Sequence, residues 1–253
     1  MKKILAWIEK WQKPLFVLFM FLAVFPFYLI INEFLASRQV KGADLTTSID
    51  QAIPFMPYWE FIYVSIYMFV LFPAVYIKHN QTFRRAFYAF FFIQIFAFAI
   101  FLIYPTKMIR AEHLVNGKKD FISWGVRLNY HLDKPYNCFP SLHVGNSYLA
   151  AIAVLHVDPL MGILLIIWGT LIAFSTMAVK HHFFYDVLGG TFLAILGYLI
   201  FLYPLKKKSI SPSELCRSRK VLWIPVLIYL GALLFAYCLF LAGLELGPVP
   251  VSR

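Results

Sequence analysis

The feature that most limits what this chain can fold into is a succession of long apolar runs almost free of charge. They lie at about 14–36, 57–77, 86–104, 142–157, 160–179, 183–204 and 221–243. A helix needs about 20 apolar residues to cross the hydrocarbon core of a bilayer, and most of these runs supply that length. The fourth is short, and Asp158–Pro159 punctuates it from the fifth, which predicts a helical hairpin and not one very long helix. Composition agrees. Of the 253 residues, 61% are hydrophobic and only 14% charged, where a soluble domain carries nearer a quarter charged. The 27 phenylalanines suit lipid-facing helix surfaces better than a water-soluble core. The expected fold class is all-α, a polytopic membrane helix bundle with seven crossings.

The first run follows lysines, as a signal peptide does, but it is too long for a signal h-region and a second span follows soon after. Ahead of it, "KKILAWIEKWQK" places Ile4, Ile8 and Trp11 on one helical face, which predicts a short interfacial helix. With the N-terminus inside, cytoplasmic segments hold 13 of the 23 Lys/Arg and 3 of the 12 acids, the lysines at 206–208 among them. The outer side holds the other 10 and 9, so the positive-inside rule is obeyed strongly. The net charge of +11 therefore reads as topology, and no basic run interleaved with aromatics suggests nucleic acid as a partner. Cys138, Cys216 and Cys238 fit no metal spacing and no disulfide framework, and Cys138 reads as a small packing residue.

This orientation brings the loop 105–141 and the 180–182 junction to one interface, where the polar residues gather. The loop ends in "NCFPSLHVGNSY" (137–148). Pro140 and Ser141 before an apolar run read as a helix start with Ser141 at the N-cap. The N–H groups of Leu142, His143 and Val144 then make an anion seat. In "KHHFFYDVLGG" (180–190), His182 and Asp186 are four apart, so a helix puts them on one face. A carboxylate that fixes one imidazole nitrogen leaves the other free as a nucleophile. His181 is five from Asp186 and reads as an interfacial bystander. Gly189 and Gly190 read as close helix packing. Lys180, Arg110 and Lys107 add positive charge at the same level, and the joint reading is phosphate chemistry. A zinc or iron site on His143, His181, His182 and Asp186 is the rival; no HxxH, ExxH or HExxH pairing supports it, so no metal is expected.

On these residues the chain resembles the type 2 phosphatidic acid phosphatase (PAP2) superfamily. Pro140–Ser141–Leu142–His143 resembles its P-S-G-H motif, with Leu142 where glycine is usual. Ser175, Thr176, His182 and Asp186 resemble S-R-x5-H-x3-D, with Thr176 in place of the arginine. The first motif, K-x6-R-P, matches poorly: Arg110 is the candidate arginine, Ala111 follows it, Ile103 stands at the lysine position, and Lys107 is the substitute. "FPSLH" and "KHHFFYD" are closest to the branch holding inositol phosphorylceramide synthases and related bacterial proteins, in which a lysine at the place of Lys180 is common.

The resemblance implies a six-span catalytic core over 1–204, with 205–253 adding a basic cytoplasmic loop and a seventh span. It implies His182 as nucleophile, Asp186 orienting it, and His143 as the acid and base. Ser141, Leu142, Arg110, Lys180 and Lys107 are the implied phosphate-binding residues, with no cofactor. The expected partner besides the bilayer is a phospholipid or polyprenyl phosphate, met at the outer face of a bacterial cytoplasmic (inner) membrane. Hydrolysis by a phosphatase and transfer to an alcohol share every one of these residues, and a transporter is the distant alternative. The aromatic stretch 121–139, with Trp124, Tyr130 and Tyr136, is expected to shape access.

Overall fold

A computed structural model describes residues 2–205 and 212–250. Among them the fold is all-helical, without strands, and five helices are long and apolar enough to cross a membrane. These are α1 (Lys10–Ser37), α2 (Asn80–Ile103), α5 (Pro159–Ala178), α6 (Phe184–Leu202) and α7 (Arg219–Leu241). Two shorter helices stand between them, α3 (Phe121–Leu132) in the long loop and α4 (Leu142–Leu155).

The expected span 57–77 is not one helix. It climbs in four steps, Pro57–Trp59, Glu60–Val64, Ile66–Phe69 and Leu71–Tyr76. Ser65 breaks the second step from the third: its hydroxyl donates to Ile62 O at 2.6 Å, and local back-bonding of this kind bends helices. The N-terminal residues also differ from expectation. The backbone is helical without a break from Lys2 into α1, which contains Pro14 and a π turn at Met20–Val24, so no separate interfacial helix precedes α1. The side chains of Ile4 and Ile8 lie outside the described residues, as do the lysines at 206–208.

Two sets of contacts mark the two ends of the bundle. At one, Lys13 Nζ donates to the Ile77 and Lys78 carbonyls, and Asp158 joins Tyr76 to Arg219. At the other, the Met56 N–H donates to Ala178 O, Ala43 bridges Thr106, and Tyr130 Oη donates to Val179 O. Residues 244–249 arrive at this second end, where Trp124 Nε1 donates to Leu244 O and Asn116 pairs with Val249 through both backbone groups. α7 therefore runs from one end to the other, and the described residues make seven traverses of the bundle.

The short α4 sits at the centre, packed on α5 and α6, with Leu149, Ala150, Ala151, Ala153 and Val154 fully buried. Small residues let the backbones approach. A Cβ on Gly190 of α6 would stand 2.3 Å from Ser141 O and 3.1 Å from Gly145 N, so only glycine fits that crossing, as the sequence suggested. Around this centre α2 turns Ala89, Phe90, Ile93 and Ala97 inward and leaves Phe91, Ile95 and Phe96 outward. α7 stands at the periphery with almost nothing buried. Large apolar side chains cover the outside of the bundle, which suits a lipid solvent.

Candidate active site

The site is built by two helix ends that meet. α5 stops in a Schellman turn: Lys180 N–H donates to Met177 O at 3.1 Å and His181 N–H to Thr176 O at 2.9 Å. Lys180 takes the left-handed position, φ +55°, normally reserved for glycine. That conformation costs a side-chain-bearing residue about 1–2 kcal/mol. The Lys180 ammonium offsets this by donating to Asp50 O at 2.9 Å and Ile53 O at 2.5 Å. The His182 N–H also reaches Thr176 O, at 3.1 Å, so the turn delivers both histidines in a fixed orientation.

α6 begins two residues later, and Asp186 caps it. Asp186 Oδ2 accepts the Phe183 N–H at 2.8 Å and lies 3.2 Å from His182 Nδ1. The expected pair is thus formed, but His182 precedes the helix and the contact belongs to a cap, not to a helix face. Asp186 is fully buried, and its carbonyl accepts the Ser141 N–H at 3.0 Å. That bond sets the start of α4 against the start of α6. Ser141 is the N-cap of α4, its hydroxyl accepting from Val144 N at 3.3 Å.

This places His143 Nδ1 3.1 Å from His182 Nε2, and Tyr63 Oη 2.9 Å from His143 Nε2. With Asp186 ionised, donor–acceptor matching gives one arrangement of the protons. An ionised Asp186 can only accept, so His182 carries its proton on Nδ1 and offers a lone pair at Nε2. His143 must donate from Nδ1 and accept at Nε2, which makes the tyrosine hydroxyl the donor. The chain Asp186–His182–His143–Tyr63 therefore points one lone pair at one N–H. Burial pushes the His182 imidazole down to about 4, so the ring is neutral at pH 7.

His181 is no bystander at the surface. It is buried, stacks on the Tyr63 ring at 4.4 Å between centroids, and takes Arg110 Nη2 at 3.2 Å from its Nδ1. Its Nε2 has no hydrogen-bond partner. Arg110 lies over the Tyr130 ring and donates to the carbonyls of Tyr130, Asp133 and Lys134. The structure thus brings Arg110 to His181, one residue from His182. Lys180 is held on the 50–53 backbone as described, and Lys107 lies over the Tyr136 ring, 5.7 Å from its centroid. Thr176, at the position of the missing arginine, turns its hydroxyl back onto Ala173 O at 2.7 Å. Among the described residues no group of three or more His, Cys, Asp or Glu is arranged to hold a metal ion.

Four residues at the site were not anticipated. Tyr63 contacts both His143 and His181. Asp133 Oδ1 accepts from Tyr28 Oη at 3.0 Å and Asn32 Nδ2 at 2.5 Å, and its Oδ2 lies 3.7 Å from His181 Nδ1. Asp50 Oδ1 accepts the Phe184 N–H at 2.8 Å. Gln94 Nε2 donates to Asn146 Oδ1 at 2.7 Å, one turn beyond His143. Only Asp50 carried a local signal, the Thr47–Asp50 capping box; the others depend on tertiary contacts.

His143 opens onto a cavity walled by Met20, Phe21, Val24 and Phe25 of α1, by Ile66, Tyr67 and Val70, and by Gln94 and Asn146. The walls are mostly apolar, with Gln94, Asn129, Asp133, His143 and Asn146 as their polar members, a lining that suits a hydrophobic ligand with one polar end. Trp124, Tyr130 and Tyr136 of the aromatic stretch are largely buried, Tyr130 lying against Arg110 and Tyr136 against Lys107.

A family model of the PAP2 superfamily matches residues 45–200. That is more than half of the chain, and the protein belongs to this superfamily. No curated protein and no solved structure matches it. The match contains Tyr63, Arg110, Ser141, His143, His182 and Asp186, whereas α1 and α7 lie outside it. The residues that meet at the two helix ends thus lie in the family segment, and the apolar wall contributed by α1 does not.

Proposed function

We propose that the protein is a membrane lipid phosphatase that hydrolyses a lipid phosphate monoester or diphosphate through a phosphohistidine on His182. The observation that carries this reading is the contact chain Asp186–His182–His143, at 3.2 and 3.1 Å, which with Asp186 ionised turns a lone pair at His182 Nε2 toward an N–H on His143. A phosphoryl group that enters between the two rings replaces their mutual hydrogen bond. His182 Nε2 then attacks phosphorus as the P–O bond to the lipid breaks, and the His143 Nδ1 proton passes to the departing oxygen. Water, deprotonated by His143, next breaks the P–N bond, releasing phosphate and restoring His182. Asp186 holds the His182 proton on Nδ1 and offsets the positive charge that the ring gains.

The phosphoryl oxygens sit at the N-terminus of α4, on the Leu142 and His143 N–H groups beside Ser141, where the helix dipole favours an anion. Arg110 supplies positive charge from behind His181. Lys180 and Lys107 reach a phosphate only by releasing the contacts they hold now, and they act chiefly on the loops around the site. The core 1–204 carries the chemistry, and 205–253 adds a loop and α7. The excess of basic residues in the segments near Lys13, Lys78 and Arg219 supports a cytoplasmic N-terminus and a site on the outer face of a bacterial inner membrane. The substrate is an anionic phospholipid or polyprenyl phosphate whose tail lies along α1.

Transfer to an alcohol is the second reading. The walls around His143 are largely apolar, and the motifs "FPSLH" and "KHHFFYD" resemble those of a transferase-containing branch. Purified protein given a panel of lipid phosphates, with and without candidate alcohols, separates the two. Free phosphate without an alcohol supports hydrolysis; phosphoryl products formed only with an alcohol overturn it.

A further inference from the structure

A second cavity lies beside the catalytic one, between the stepped segment, α3 and α7. Phe61, Val64, Leu71, Leu128, Ile228 and Leu233 are among its walls, and it is almost wholly apolar. Its charged exception is Glu60, which is 5% exposed. One carboxyl oxygen accepts from Asn129 Nδ2, while Oε2 is buried without a hydrogen-bond partner. A buried polar oxygen left unpaired in an apolar space is costly unless a ligand or water completes it. No Lys or Arg lines the cavity. A phosphate there would face a carboxyl with no adjacent compensating charge, and a bare alkyl chain would leave Oε2 unpaired. A hydroxyl meets the need in either protonation state, because it donates to a carboxylate and both donates to and accepts from a carboxylic acid.

Position adds a second argument. Phe21, Tyr67 and Asn129 line this cavity and also the one at His143. The two spaces are neighbours separated by side chains, and the Asn129 amide that bonds Glu60 stands on the partition. The far wall is α7, which holds the stepped segment through Tyr229 Oη donating to Phe61 O at 2.5 Å. That helix lies outside the family match, so the cavity is closed by a helix added to the catalytic core.

We propose that the Glu60 cavity is a product site that binds a long-chain lipid alcohol, the dephosphorylated form of the substrate, as it leaves His143. The assignment rests on the hydrolase reading above. Loss of phosphate turns an anionic headgroup into a hydroxyl, which the cations and helix end near His143 no longer hold and which Glu60 can accept.

The test uses full-length His182→Ala protein in lipid nanodiscs and a long-chain alcohol carrying a diazirine on its chain. Photolysis followed by peptide mapping should place adducts on residues 60–71, 121–129 and 228–236. Hexadecanol should compete and hexadecyl phosphate should not. Glu60→Met, which removes both carboxyl oxygens at similar length, should weaken labelling on the order of tenfold, the worth of one good hydrogen bond. Ala236→Phe fills the cavity from α7, leaves Glu60 intact and should abolish labelling. Adducts confined to the His143 cavity, or spread over the lipid-facing surface and unchanged in Ala236→Phe, would overturn the proposal. So would phosphoryl transfer from a lipid phosphate to the bound alcohol in wild-type protein, since the site would then hold an acceptor. Phosphate release by the wild type is followed in parallel. If it fails while labelling persists, the hydrolase reading falls and the cavity remains an alcohol site.

Discussion

Replacing Asp186 with Asn changes one charge at the centre of the proposed mechanism and little else in shape. Asp186 Oδ2 takes both the Phe183 N–H at 2.8 Å and the His182 Nδ1 proton at 3.2 Å, while Oδ1 is buried with no partner. An asparagine has two ways to sit there. With its oxygen on the two donors it keeps both bonds, now neutral, and buries an amide N–H2 in place of Oδ1. Bonds to a charged group contribute about 1.5–3 kcal/mol. Losing that support as His182 becomes cationic slows kcat by about 10- to 140-fold at ~1.4 kcal/mol per decade. With its amide toward His182 it forces Nδ1 to accept, which moves the ring proton onto Nε2, the attacking nitrogen. A buried Asp-to-Asn change that traps a catalytic histidine in the wrong tautomer costs about 10⁴-fold. The expected loss in Asp186→Asn therefore lies between these limits, with KM changed far less. The assay is phosphate release from the best lipid phosphate of the panel, on protein shown to be monodisperse with an unchanged melting point. A kcat within twofold of wild type in such protein would refute the reasoning.

Four further outcomes follow from the same geometry. Tyr63→Phe removes the hydroxyl that donates to His143 Nε2 at 2.9 Å, and kcat should fall about 2- to 12-fold, the worth of a neutral hydrogen bond, with the fold intact by thermal melting. His181→Ala should keep substantial turnover yet melt lower, because it removes the stack on Tyr63 and a partner of Arg110. Gly190→Ala should destabilise the protein by about 3 kcal/mol, the upper end for overpacking, since the added Cβ meets the Ser141 carbonyl at 2.3 Å; reduced yield of monodisperse protein reads it out. His182 is held neutral down to about pH 4 by burial, so its reaction with diethyl pyrocarbonate, followed by peptide mass spectrometry, should persist at pH 5. The neutral ring is the reactive form and an ordinary histidine is half-protonated near pH 6.5. Half-loss of modification at that pH would contradict the burial of the site.

The seven traverses were legible because lipid imposes a length, and Asp158–Pro159 marked the one hairpin that length alone would have missed. The broken helix at 57–76 was not legible: its apolar run is continuous, and the break at Ser65 depends on a hydroxyl choosing the Ile62 carbonyl. At the site, spacing selected His182 over His181 correctly as the partner of Asp186, although the contact is a helix cap. What sequence spacing could not reveal was anything brought in from another element. Tyr63 sits in an apolar run with no local mark, and Asp133 is one acid of a mixed loop. The cations show the limit from the other side. Lys180 and Lys107 have the right charge and level, but the 50–53 carbonyls and the Tyr136 ring hold them. Such contacts are invisible until the outer loops are folded.

The most direct test of the account is to trap the phosphoryl group on the protein. Wild-type enzyme is mixed with a radiolabelled lipid phosphate, quenched in alkali within the first turnover, digested and mapped by mass spectrometry. The account predicts an alkali-stable, acid-labile phosphoryl group on His182, absent in His182→Ala. A phosphoryl group on His143, or full turnover by His182→Ala protein, would contradict it.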